Sequence, residues 1–109
     1  MRGDTAVALT IRRRKAKLTV AIEGKATIVE AEQLRDELAK CIETWDRVQL
    51  DLGLVTDIDT AGMQVLLSAA VTAASEGKPL AIGKTSEAVV DTCRLMGLEN
   101  APPFTAMSR

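Results

Sequence analysis

The chain has 109 residues, with 14 Lys and Arg against 15 Asp and Glu, and 47% of its residues are apolar. That length suits a single domain over residues 1–109, and that apolar share is enough to build one core. A net charge of −1, with Trp45 and Phe104 as the only aromatics, argues against a nucleic-acid partner: there is neither a global basic field nor a stacking platform for bases.

With no histidine and only Cys41 and Cys93, the chain lacks the side chains of a zinc site or a Cys/His nucleophile pair. No metal and no cofactor is expected, and both cysteines read as reduced core thiols. No apolar run reaches the ~18–20 residues of a membrane span, and the N-terminus lacks a signal-peptide pattern. A cytoplasmic chain without membrane insertion is the expectation.

Residues 7–11 and 18–22 alternate apolar and polar positions, which predicts two strands joined as a hairpin. The basic stretch between them, Arg12-Arg13-Arg14-Lys15-Ala16-Lys17, fits a solvated turn or a guarded strand edge, or else a contact to an anionic surface. After Gly24 the period changes: Ile28, Ala31, Leu34, Leu38, Cys41 and Ile42 recur at helical steps. Thr27, with Glu30 three residues on, has the spacing of a capping box for that helix.

Residues 48–52 read as a short buried strand leading to an Asp-rich turn, Asp57-Ile58-Asp59-Thr60. Residues 61–75 are almost all apolar or small, too short to span a bilayer and suited to a helix packed on a sheet. Gly77 and Pro79 stop it. Residues 80–82 form a further strand, residues 86–96 a third helix ended by Gly97, and residues 102–106 a short last strand. The order β-β-α-β-α-β-α-β predicts an α/β fold with parallel pairing of the later strands, made mixed by the hairpin.

The informative stretch is the turn before the second helix. A helix start offers unpaired N–H groups and the positive end of the helix dipole, which favours an anion or a docked partner. Asp59 or Thr60 suffices as an ordinary cap. Gly62, one or two residues into a helix, costs ~1 kcal/mol relative to Ala, and close approach of another backbone or of a partner surface would explain it.

Asp51-Leu52 followed by Asp59-Thr60-Ala61-Gly62 resembles the signature of STAS domains, the family of anti-sigma factor antagonists. The resemblance extends to Ile22-Glu23-Gly24, Gly77-Lys78-Pro79-Leu80 and Leu95-Met96-Gly97-Leu98, so it spans nearly the whole chain. It implies a STAS-like mixed sheet with helices packed on it, and a non-enzymatic switch that binds an anti-sigma factor or related serine/threonine kinase. It further implies phosphorylation at Thr60, with a partner surface formed by Asp57, Asp59, Thr60, Ala61, Gly62, Met63 and Gln64. A phosphate there would add about −1.5 to −2 charges and repel the partner.

Two residues depart from the kinase-regulated pattern. Gln64 stands where many such antagonists have a second Gly, and Lys25 where they have an acidic residue. Met63-Gln64 is more similar to STAS proteins of chemotaxis systems or of phospholipid-transport ABC machines, so a constitutive adaptor for an ABC-transporter ATPase or a chemotaxis component is the alternative. An exposed hairpin edge is compatible with a homodimer. Catalysis by Asp57 and Asp59 has little support, because no base, nucleophile pair or phosphate-cradling Gly loop accompanies them. Thr56 and Ser86 read as a turn residue and a helix cap.

Overall fold

The computed structural model describes residues 8–14 and 17–104. Its elements are β1 (Ala8–Arg14), β2 (Lys17–Ala26), α1 (Ala31–Thr44), β3 (Arg47–Ile58), α2 (Thr60–Ser75), β4 (Leu80–Thr85) and α3 (Glu87–Leu95). The strands lie in the order β1-β2-β3-β4. The hairpin pairs antiparallel, and β2–β3 and β3–β4 pair parallel, giving the mixed α/β sheet that the alternation of elements predicts.

Period-two alternation sends Leu18, Val20 and Ile22 of β2 and Val48, Leu50 and Leu52 of β3 to one face of the sheet, where they are almost fully buried. The helices cover that face. Leu34, Leu38 and Ile42 of α1, Met63, Leu66 and Ala73 of α2, and Val89 and Cys93 of α3 join the strand residues in one core. Each such Leu or Val contributes ~1.5–3 kcal/mol by leaving water, so this apolar face, rather than surface charge, holds the sheet and helices together. After α2, the N–H of Gly77 reaches the Ala74 carbonyl and that of Lys78 the Ala73 carbonyl. Gly77 supplies the left-handed φ of 71° that this stop requires.

Three expectations need correction. β3 does not end at Leu52 but runs on to Ile58, because the second half of β2 stays beside it: Glu23 pairs with Leu54, Gly24 with Val55 and Lys25 with Asp57. Register shifts between Ala21 and Glu23 and between Gly24 and Lys25 disrupt the alternation that sequence reading relies on. Thr56 and Asp57 are therefore strand residues, and the turn to α2 is shorter than the Asp-rich stretch suggests.

α1 begins at Ala31, not at Ile28. The predicted Thr27–Glu30 pair does form: the N–H and hydroxyl of Thr27 donate to Glu30 Oε1 at 2.8 and 2.7 Å. It closes a separate turn ahead of the helix, which leaves Ile28 70% exposed rather than on the core face, with Val29 60% exposed beside it.

The predicted last strand is not formed by residues 102–104. They lie in a turn closed by the Phe104 N–H on the Ala101 carbonyl at 2.8 Å, and Phe104 plugs the core. Pro102 and Pro103 have no N–H to give to a ladder. Thr105 and Ala106 lie outside the described residues.

Candidate docking site

The start of α2 is built by one carboxylate. β3 delivers the chain to Asp59, which stays extended (φ −119°, ψ −173°) and caps the helix. Its Oδ1 accepts from the Gly62 N–H at 3.0 Å. Its Oδ2 accepts from the Ile28 N–H at 2.9 Å, across 31 residues of sequence. Asp59 thus ties the first turn of α2 to the Thr27–Glu30 turn. Burial pushes its pKa up, but the opposing backbone N–H groups of Gly62, Ile28 and Ala61 outweigh that, leaving it below the ordinary carboxylate value.

Gly62 has a packing reason. A Cβ added there would collide with the Ala26 carbonyl oxygen at the end of β2 and lie 2.9 Å from Ile58 Cγ1. Of the two explanations open from the sequence, close approach of another backbone accounts for this glycine. That approach seats α2 on the end of β2 and brings Asp59 within reach of Ile28.

The predicted site residues separate into a floor and a surface. Gly62 and Met63 are buried, Met63 completely, so they shape the site from beneath. Asp57, Thr60 and Gln64 are exposed, and Asp59 and Ala61 are half-buried. Asp57 sits opposite Lys25 at the end of β3, one residue pair before that sheet edge closes, and does not join the Asp59 clamp. α3 braces the same end, where the Thr92 hydroxyl donates to the Ile58 carbonyl at 3.3 Å. Ser86 caps α3, accepting from the Val89 N–H at 3.3 Å.

Sequence reasoning missed Ile28 and Val29, an exposed apolar pair tied by Asp59 to the turn carrying Thr60. A signal was available: adjacent helix positions are ~100° apart, so both could not have faced the core squarely. Thr27 and Glu30 hold the pair in place. Glu30 is buried; the Thr27 N–H bond lowers its pKa most, and the net direction stays downward despite the opposing effect of burial. Among the described residues no group of three His, Cys, Asp or Glu side chains is arranged to hold a metal ion.

A family model described as "Mlab, STAS domain" matches residues 9–106. The chain belongs to the STAS-domain family. The fold of this STAS domain is also similar to that of solved structures. An anti-sigma factor antagonist from Mycobacterium paratuberculosis superposes with a TM-score of 0.78 at 15% identity, covering 94% of this chain and 88% of the other. The Bacillus cell fate determinant SpoIIAA in its phosphorylated form gives 0.69 at 13% identity, covering 93% and 89%. The anti-sigma factor antagonist SpoIIAA in its unphosphorylated form gives 0.65 at 11% identity, covering 81% and 83%. Identities this low carry the fold alone. A search of curated proteins finds no significant match.

Proposed function

We propose that this STAS domain is a non-enzymatic interaction switch whose partner docks on the α2 start and the adjoining Thr27–Glu30 turn, and that phosphorylation of Thr60 turns docking off. The observation that carries it is the position of Thr60: the first residue of α2, exposed, beside a carboxylate already fixed by two backbone N–H groups. A kinase can reach such a hydroxyl without unfolding anything. Once phosphorylated, Thr60 places a second anion next to Asp59 in the middle of the contact surface, and like-charge repulsion with desolvation cost opposes binding. The partner that fits is an anti-sigma factor or related serine/threonine kinase. The fold shared with SpoIIAA, a protein solved with and without phosphate, supports the proposal.

A second possibility has its own support in the Mlab-type family model and in Gln64 and Lys25. In it the same surface docks constitutively on an ABC-transporter ATPase or a chemotaxis component. Incubation with a cognate serine/threonine kinase and ATP, followed by phosphosite mapping, separates the two. Phosphate on Thr60 and loss of partner binding in Thr60→Glu support the switch. An unmodified Thr60, with Thr60→Glu binding as wild type does, leaves the constitutive adaptor.

A further inference from the structure

At the opposite end of β3 from Thr60, two cations sit side by side. Lys17 opens β2 and Arg47 opens β3, and the parallel register sets them as direct neighbours. Adjacent strands are ~4.8 Å apart, and like charges at such positions destabilise a sheet. Both residues are exposed, and neither has an ion pair among the described residues. In the hairpin ladder Arg14 pairs with Lys17 and Arg12 with Thr19. Lys78, nearby in the same end of the fold, is already engaged by the Ile42 and Glu43 carbonyls and by Glu76.

The two cations border a concavity of about 220 Å³ that is also lined by Gln49, Val48, Pro79 and Ala81. Gln49 lies across Gly83, where a Cβ would come within 2.7 Å of its Nε2, so a glycine on β4 makes room for that amide. The groove therefore offers an ammonium, a guanidinium and a neutral amide over a floor of small apolar groups. Whole-molecule charge is near zero, which sets this local cluster apart from a general polyanion-binding surface. A concave pair of cations suits one compact dianion better than a long chain of charges, and guanidinium binds phosphate oxygens in fork geometry.

We propose that this groove is an anion site that takes a phosphate-type dianion between Lys17 and Arg47, with Gln49 as a neutral donor. The occupied site offsets the repulsion between the two cations; the empty one keeps it. It lies apart from the Thr60 end, so both sites can be filled together. The phosphate can belong to a free small molecule or to a lipid headgroup, and the two sources are distinguishable by experiment.

Amide shifts of the isotope-labelled full chain are followed during titration with inorganic phosphate, against sodium chloride of matched ionic strength. Saturable shifts at residues 17, 47–49 and 81, absent in chloride, are expected, and Arg47→Ala should weaken the apparent affinity by roughly tenfold or more. Lys17→Ala serves as the second variant, and Lys40→Ala, on an exposed position of α1, as a control that changes nothing. In parallel, the chain is sedimented with phosphatidylcholine vesicles with and without phosphatidic acid. Binding to the acidic vesicles alone, lost in Arg47→Ala and unaccompanied by saturation with free phosphate, assigns the headgroup as the source. Shifts equal in phosphate and chloride, together with vesicle binding that is absent or indifferent to Arg47, overturn the proposal.

Discussion

Asp59 and Gly62 set the geometry of the α2 start, one through a carboxylate that accepts two backbone N–H groups and the other through a missing Cβ. Replacing Gly62 by Ala drives a methyl group into the Ala26 carbonyl, which cannot rotate away. Chemical denaturation followed by the fluorescence of Trp45, the single tryptophan, should show a loss of ~1–3 kcal/mol. Asp59→Ala removes a helix cap, worth ~1 kcal/mol, and also the bond to Ile28, so its cost should reach the upper part of the ~0.5–2 kcal/mol range for caps. Acid should act on the same groups. Asp59 and Glu30 both have pKa values lowered in the folded chain, so their contribution is fully present above the ordinary carboxylate range of about 4 and is lost as pH falls through the lowered values. Stability should therefore drop below about pH 4, and less steeply in a Glu30→Gln, Asp59→Asn double variant. The thiols behave oppositely: burial first, then Glu37 for Cys41 and Glu99 for Cys93, pushes both upward. Native Cys41 and Cys93 should resist thiol-specific reagents until the chain unfolds.

Among the elements, the Thr27–Glu30 turn holds two apolar side chains, Ile28 and Val29, on the surface against the usual burial of such groups. Ile28 and Val29 are exposed in the free chain, so Ile28→Ser with Val29→Ser should leave the denaturation midpoint nearly unchanged. The same change should weaken partner binding by tenfold or more if the pair forms the apolar centre of the contact, since buried anchors carry most interface energy. Titration calorimetry with the purified partner checks this. The turn also marks how far periodicity reaches. The sheet and α3 were legible because Leu50, Leu52, Val89 and Cys93 repeat at the steps that their backbones impose, and α2 because an apolar run of that length, stopped by Gly77 and Pro79, suits a helix packed on a sheet. The start of α1 was not: Ile28 continues the helical spacing, while the Thr27–Glu30 hydrogen bonds stop the helix from including it. Likewise β3 ran past Leu52 because its pairing with β2 through two register shifts is a tertiary event, invisible to alternation along one strand. Over residues 102–104 the last strand failed on Pro102 and Pro103, a breaker signal present in the sequence.

For the whole molecule, family membership and site geometry meet at one end of the sheet. The STAS resemblance identified the Asp59-Thr60-Ala61-Gly62 turn, and the structure divides those residues into a clamp, an exposed hydroxyl, a half-buried spacer and a packing glycine. That division could not be read from the sequence, because burial of Gly62 and Met63 depends on β2 ending beneath α2. It also makes the proposed switch economical. In the proposed switch Asp59 holds the surface in one shape, and a charge added at Thr60 would act on the partner rather than on the fold. The most direct test is the dissociation constant of the partner for wild type, for Thr60→Glu and for the chain phosphorylated on Thr60, each with its denaturation midpoint measured alongside. The switch predicts a large loss of affinity in the phosphorylated chain and in Thr60→Glu with the midpoints unchanged; equal affinities across all three would contradict it.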